Sequence, residues 1–120
     1  MRFLCLYKSG RAEGAPPSQQ EMDRMGKLIE EAMTAGWLLS TEGCLPSSLG
    51  ARVRLSEGKF AVTDGPFAET KELVGGFAII QAASKEEAIQ HTKYFLQVAG
   101  GGETEIRQLY EAPASASGSR

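Results

Sequence analysis

A chain of 120 residues that is 42% apolar and 23% charged fits one globular domain with a single core. A net charge of −2, with no basic stripe or aromatic–arginine cluster, argues against a nucleic-acid partner. The apolar start MRFLCLY breaks at Lys8, and no later run approaches the length of a membrane span, so a cytoplasmic protein with no membrane contact is the expectation.

In chain order, RFLCLY (2–7) predicts a short strand apolar on both faces, followed by a polar loop rich in glycine and proline. Ser18 and Glu21 form a capping box, and a helix runs from there to Gly36 with Met22, Met25, Gly26, Ile29, Ala32 and Met33 on its buried stripe. Trp37–Ser40 reads as a second strand. Ala51, Val53 and Leu55, then Phe60 and Val62, alternate with polar residues across Ser56-Glu57-Gly58, which is a hairpin with a tight turn. Phe77–Ile80 is again apolar on both faces. Ser84 and Glu87 repeat the capping-box pattern before a helix with Ala88, Ile89, Thr92, Phe95, Leu96 and Ala99 on its stripe and His91 at its edge. Three glycines end that helix, a last strand spans 104–111, and residues 112–120 form a low-complexity, disordered tail.

Strand, helix, strand, hairpin, strand, helix, strand folds most economically as a ferredoxin-like α+β sandwich, an antiparallel sheet with two helices on one face. Two helices cover one sheet face only. The doubly apolar strands therefore call for a cover on the other face, and a second copy of the chain supplies it, predicting a homodimer with sheets face to face.

Residues 62–77, VTDGPFAETKELVGGF, concentrate charge between two apolar strands. Asp64 suits two roles: a turn carboxylate accepting from backbone N–H groups two residues on, or a general base or ligand-binding carboxylate at the sheet edge. Thr70 and Lys71 suit either a solvated connection or an anion contact, and Arg52, sharing a strand face with Arg54, adds a hint of anion recognition. Glu42, Ser47 and Ser48 precede the hairpin and complete a candidate polar pocket, although neither serine sits in a nucleophile elbow. Cys5 and Cys44 read as two reduced, packed thiols, and with one distant His91 they offer no metal-ligand spacing. No phosphate-binding loop is present, so no cofactor is expected.

The run DGPFAETKELVGGF, with FLCLY, GWLLSTEGCLPSSLGARVR and EIRQLYE around it, resembles the DGPF group of the YciI-like (YCII-related) family over residues 1–111. The resemblance implies a dimeric ferredoxin-like α/β barrel with a site in a cleft near the dimer interface. Some members of the wider family resemble lyases or dehydrochlorinases that use a histidine–aspartate pair. Here the loop after the first strand has no histidine, and only Asp64 carries over. The expected function is binding of a small polar or anionic ligand by Glu42, Ser48, Arg52, Asp64, Thr70 and Lys71, with Asp64 as base if a cofactor-independent proton transfer, a lyase or isomerase step, takes place. The alternative implied by the resemblance is a non-catalytic partner of an extracytoplasmic-function sigma factor.

Overall fold

A computed structural model describes residues 1–9, 16–67 and 74–111. The elements follow as β1 (Arg2–Lys8), α1 (Gln19–Ala35), β2 (Leu38–Gly43), a short 3₁₀ turn (Ser47–Leu49), β3 (Ala51–Ser56), β4 (Lys59–Asp64), β5 (Gly76–Gln81), α2 (Lys85–Ala99) and β6 (Glu103–Gln108). Four strands make one antiparallel sheet in the order β2-β5-β1-β6, the ferredoxin-like arrangement, and β3 and β4 pair only with each other. The fold class is the one the element order predicts. The expected C-terminal tail, 112–120, lies outside the described residues.

Both helices start where the sequence places them. Ser18 Oγ accepts from the Glu21 N–H at 3.1 Å while the Glu21 carboxylate accepts from the Ser18 N–H at 2.9 Å, satisfying two of the free donors of the first turn. At the second helix only half of this is found. Ser84 Oγ accepts from the Glu87 N–H, but the Glu87 carboxylate reaches past the cap to the Ala83 N–H.

The stripe of α1 is rotated from expectation. Leu28 and Ala32 are buried and Met25 and Ile29 half-buried, an i, i+3, i+4, i+7 set, whereas Met22 and Met33 lie exposed on its flanks. Leu28 is the residue missing from the predicted stripe. On α2 the expected Ala88 and Thr92 are buried. These stripes cover the inner sheet face, where Phe3 and Cys5 of β1, Ile80 of β5 and Leu38 of β2 form the core with Ala32 and Ala88.

Because cross-strand partners share a face, the register fixes the outer side of the sheet. Leu4 faces Ile79 and Leu6 faces Phe77, giving an apolar strip down the two central strands, all four side chains half-buried. Charge borders the strip on β6, where Glu105 lies between Lys8 at 3.6 Å and Arg107 at 3.1 Å. Arg107 first, and then Lys8, holds the Glu105 carboxyl below its ordinary value. Beyond β6 the chain is tied to β1: Leu109 N–H donates to the Arg2 carbonyl, and the Glu111 carboxylate accepts from both the Arg2 N–H at 2.9 Å and its Nε at 3.3 Å.

Edge strand β2 has an interrupted register between Leu38 and Ser40, so that Leu39 bulges from the ladder and is exposed. Strand β2 is also longer than predicted, running on to Gly43, where Gly76 of β5 comes so close that a side chain would meet the Glu42 carbonyl at 2.9 Å.

Candidate functional site

Two places gather candidate functional side chains. The first is the corner where the β3–β4 hairpin leaves the rest of the chain. Gly65 donates its N–H to the Gly50 carbonyl at 3.1 Å and Phe67 donates its N–H to Ser47 Oγ at 3.2 Å, so Asp64-Gly65-Pro66-Phe67 is bound across the Ser47–Leu49 turn. Any Cβ at position 65 would overlap the Ser47 carbonyl, which explains the glycine. Arg52 lays its guanidinium 4.0 Å over the Phe67 ring and so braces the corner from the hairpin side.

Asp64, Arg52 and Ser48 are therefore brought to one corner, Asp64 opposite Ala51 in the last pair of the hairpin. Asp64 is exposed, and among the described residues its carboxylate has no hydrogen-bond or ion-pair partner. The corner is thus held by backbone groups, Ser47 and the Arg52–Phe67 stack instead of by the aspartate. Ser48 is also exposed. Glu42 belongs to another place, on β2 across from Phe77 of β5. Thr70 and Lys71 lie outside the described residues.

The second place is a cavity of about 370 Å³ between the helices and the inner sheet face. Cys5, Ala78 and Ile80 line it from the sheet, Met25, Leu28 and Ile29 from α1, and Thr92 and Phe95 from α2. Its wall includes two planar side chains: His91 of α2 stacks on Trp37, centroids 4.0 Å apart and planes within 5°. His91 Nε2 lies 3.7 Å from a Glu87 carboxylate oxygen one turn earlier. Also on the wall, Tyr7 meets Phe95 edge to face at 5.0 Å and donates its hydroxyl to the Gly101 carbonyl. Glu42 also touches the lining, and is the predicted site residue nearest this chemistry.

Few polar atoms enter this space, and each has an explanation except one. Thr92 Oγ donates to the Ala88 carbonyl at 2.9 Å. Burial pushes the Cys5 thiol above its ordinary value, against a smaller opposing effect from the Thr92 hydroxyl, so Cys5 lines the cavity as a neutral apolar group. Cys5 is thus packed as expected, whereas Cys44 is exposed. Thr104 Oγ1, in the cavity lining, is buried with no hydrogen-bond partner. Buried hydroxyls are nearly always paired, with protein or with ordered water, so this one stands out in the lining.

No sequence spacing announces this site. Trp37 follows the cap of α1 and His91 lies fifty-four positions later; only the packing of α1 against α2 brings them together. The usable signals were His91 at the edge of an apolar stripe and Thr104 on the inward side of β6.

A model of the YCII-related domain matches residues 1–111. The chain belongs to the YCII-related family. Within it, the chain is 42% identical over 97 residues to an uncharacterised protein of Rhizobium meliloti (strain 1021), spanning 78% of each chain. Among solved structures it is similar to 5-chloro-2-hydroxyhydroquinone dehydrochlorinase from Burkholderia phenoliruptrix AC1100, in complex with 2,5-dihydroxybenzoquinone, with a TM-score of 0.51 and 19% identity over 93% of this chain and 96% of that one. At that identity the likeness speaks for the ferredoxin-like fold of this YCII-related chain. Among the described residues no three His, Cys, Asp or Glu side chains are grouped to hold a metal, and no helix is long and apolar enough to cross a membrane.

Proposed function

We propose that this YCII-related domain binds a small, flat, largely apolar molecule bearing one or two ring oxygens in the cavity between sheet and helices. The observation that carries the reading is the unpartnered Thr104 hydroxyl in a largely apolar cavity whose wall includes a stacked Trp37–His91 pair. A volume of about 370 Å³ is in the range of small-ligand sites, apolar walls supply most of the binding free energy, and a single polar group fixes orientation. The quinone held by the dehydrochlorinase of the same fold is a molecule of this kind, a flat ring with oxygen substituents. This moves the expected ligand from polar or anionic towards aromatic, since among the described residues no lysine or arginine lines the cavity to neutralise a phosphate.

If the bound molecule is turned over, His91 is the group placed to move a proton. It is the only imidazole in the chain, it lines the cavity, and Glu87 sits close enough to orient it. In a lyase or isomerase step without a cofactor, such a base would take the proton from an acidic C–H or O–H of the ligand, and the electron pair released would either expel a leaving group on the adjacent carbon or be reprotonated by the imidazolium at another atom.

A thermal-shift screen tests the reading, with 2,5-dihydroxybenzoquinone and simple hydroxybenzoates set against inorganic phosphate and small aliphatic carboxylates. The aromatic set should raise the midpoint by several degrees at saturating concentration, because a ligand at about 100 times its Kd stabilises the native state by roughly 2.7 kcal/mol. His91→Ala should abolish that shift. Stabilisation by phosphate or aliphatic carboxylates alone would reject the aromatic ligand.

A further inference from the structure

We infer that Glu87 is a positioning residue for His91: it holds the imidazole proton on Nε2 and so leaves Nδ1 as the nitrogen that accepts a proton from the ligand. The inference deepens the proposed function and rests on His91 being the base there. It starts from a motif that occurs twice in the chain and folds in two ways. Ser18-Gln19-Gln20-Glu21 and Ser84-Lys85-Glu86-Glu87 open the two helices with the same spacing, and in both the serine Oγ accepts from the N–H three residues on at 3.1 Å. In α1 the glutamate closes the box on the Ser18 N–H at 2.9 Å. In α2 the glutamate turns elsewhere: Glu87 Oε1 accepts from the Ala83 N–H at 3.4 Å and lies 3.7 Å from His91 Nε2.

The residue one turn later accounts for the difference. Four positions after Glu21 comes Met25, which has no donor, and four positions after Glu87 comes His91. Side chains four apart on a helix are neighbours, so the second glutamate has a ring N–H within reach that the first lacks.

Two constraints then hold the ring. Trp37 sets its plane, through the stack at 4.0 Å and 5°, and Glu87 sets its direction within that plane. An ionised carboxylate only accepts, so the nitrogen facing it carries the hydrogen and the other nitrogen of a neutral imidazole carries the lone pair. Glu87 acts from outside the ligand space: with Gly36, Gln81 and Ala83 it lines an open, polar hollow, whereas His91 lines the cavity and Trp37 lines both. Its side chain is 47% exposed against 24% for His91, so the charge of the orienting group stays in water. When Nδ1 takes a proton from a C–H or O–H of the ligand, the electron pair stays on the ligand and the ring becomes an imidazolium. Its Nε2–H then meets the carboxylate as a charge-assisted pair, and the contact at 3.7 Å tightens.

Nitrogen-15 NMR of the ligand-free protein provides the test, and with one histidine in the chain the imidazole signals need no assignment. At pH 9, above the ordinary imidazole range, wild type should carry the proton on Nε2 and the lone pair on Nδ1. Glu87→Ala should raise the Nδ1–H form at least about threefold, because an outer partner of a histidine fixes its tautomer. Glu86→Ala, the same exchange one position earlier, should leave the ratio at its wild-type value. Wild type with the proton on Nδ1, a Glu87→Ala ratio equal to wild type, or a Glu86→Ala shift as large as that of Glu87→Ala would each overturn the assignment. All of these readings are made without ligand, so an aromatic set that fails to stabilise the protein would reject the proposed ligand and leave the tautomer result standing.

Discussion

Thr104→Val should make the ligand-free protein more stable, and the reason lies in one atom. Thr104 Oγ1 is buried without a partner, so folding strips a hydroxyl of water and returns nothing. Such a group costs about 1 to 3 kcal/mol, and valine has the same branched shape on the same strand. Removing the oxygen recovers most of that amount. For a chain of this length each kcal/mol moves the midpoint by about 3 to 6 °C, so the variant should melt at least about 3 °C higher in a calorimetric scan. Thr92→Val is the matched control: its hydroxyl donates to the Ala88 carbonyl at 2.9 Å, so the same exchange should lower stability, by up to about 1 kcal/mol. If the Thr104 hydroxyl serves a ligand, the more stable variant should also be the weaker binder. A Thr104→Val protein that melts lower than wild type would refute the reasoning, because it would mean that the hydroxyl is satisfied in the free state.

Three further outcomes follow from the rest of the structure. Gly65→Ala should destabilise by about 1 to 3 kcal/mol in urea unfolding, since its Cβ overlaps a backbone carbonyl that cannot move without shifting the Ser47–Leu49 turn. Asp64→Asn should leave the midpoint within about 1 °C, the size expected of a surface substitution, because the carboxylate is exposed and holds no partner among the described residues; loss of turnover in that variant would establish Asp64 as the base, whereas retained turnover would leave His91 as the proton carrier. Arg2 holds the Glu111 carboxyl below its ordinary 4.5, first through its backbone N–H and then through its side chain. A depressed carboxyl stabilises above its unfolded value and loses that contribution as pH falls through the folded one. Wild type and Glu111→Gln should therefore differ most above pH 4.5 and converge as pH falls below the carboxyl's lowered folded-state value in a series of thermal melts.

The sequence was most legible where local chemistry decides. Ser18 and Glu21 announced a helix start, and the alternation of Val53 and Leu55 with Arg52 and Arg54 announced a strand, because caps and pleats act over a few residues. Element order then left one economical fold. Leu28 was missed because Met22, Met25 and Met33, at helical spacings, imitate a stripe about as well as the true one, and only packing against the sheet selects between the two rotations. The site was less legible for a related reason. Charge density drew attention to Asp64 and Arg52, which meet at the hairpin base, whereas the cavity is built from Trp37, His91, Thr104 and Tyr7, residues that look like ordinary core or edge positions until β2, α2, β6 and β1 are brought together.

The bulge at Leu39 has a bearing on how this protein behaves in concentrated solution. Among the described residues the four-stranded sheet has two edges that no further strand pairs, and such edges can recruit a strand from a neighbour and grow. On β2 the bulge breaks the even ladder that such recruitment needs, and on β6 Glu103, Glu105 and Arg107 alternate along the other margin. With both edges blunted, neither margin offers the even ladder that strand-by-strand growth between neighbouring molecules needs.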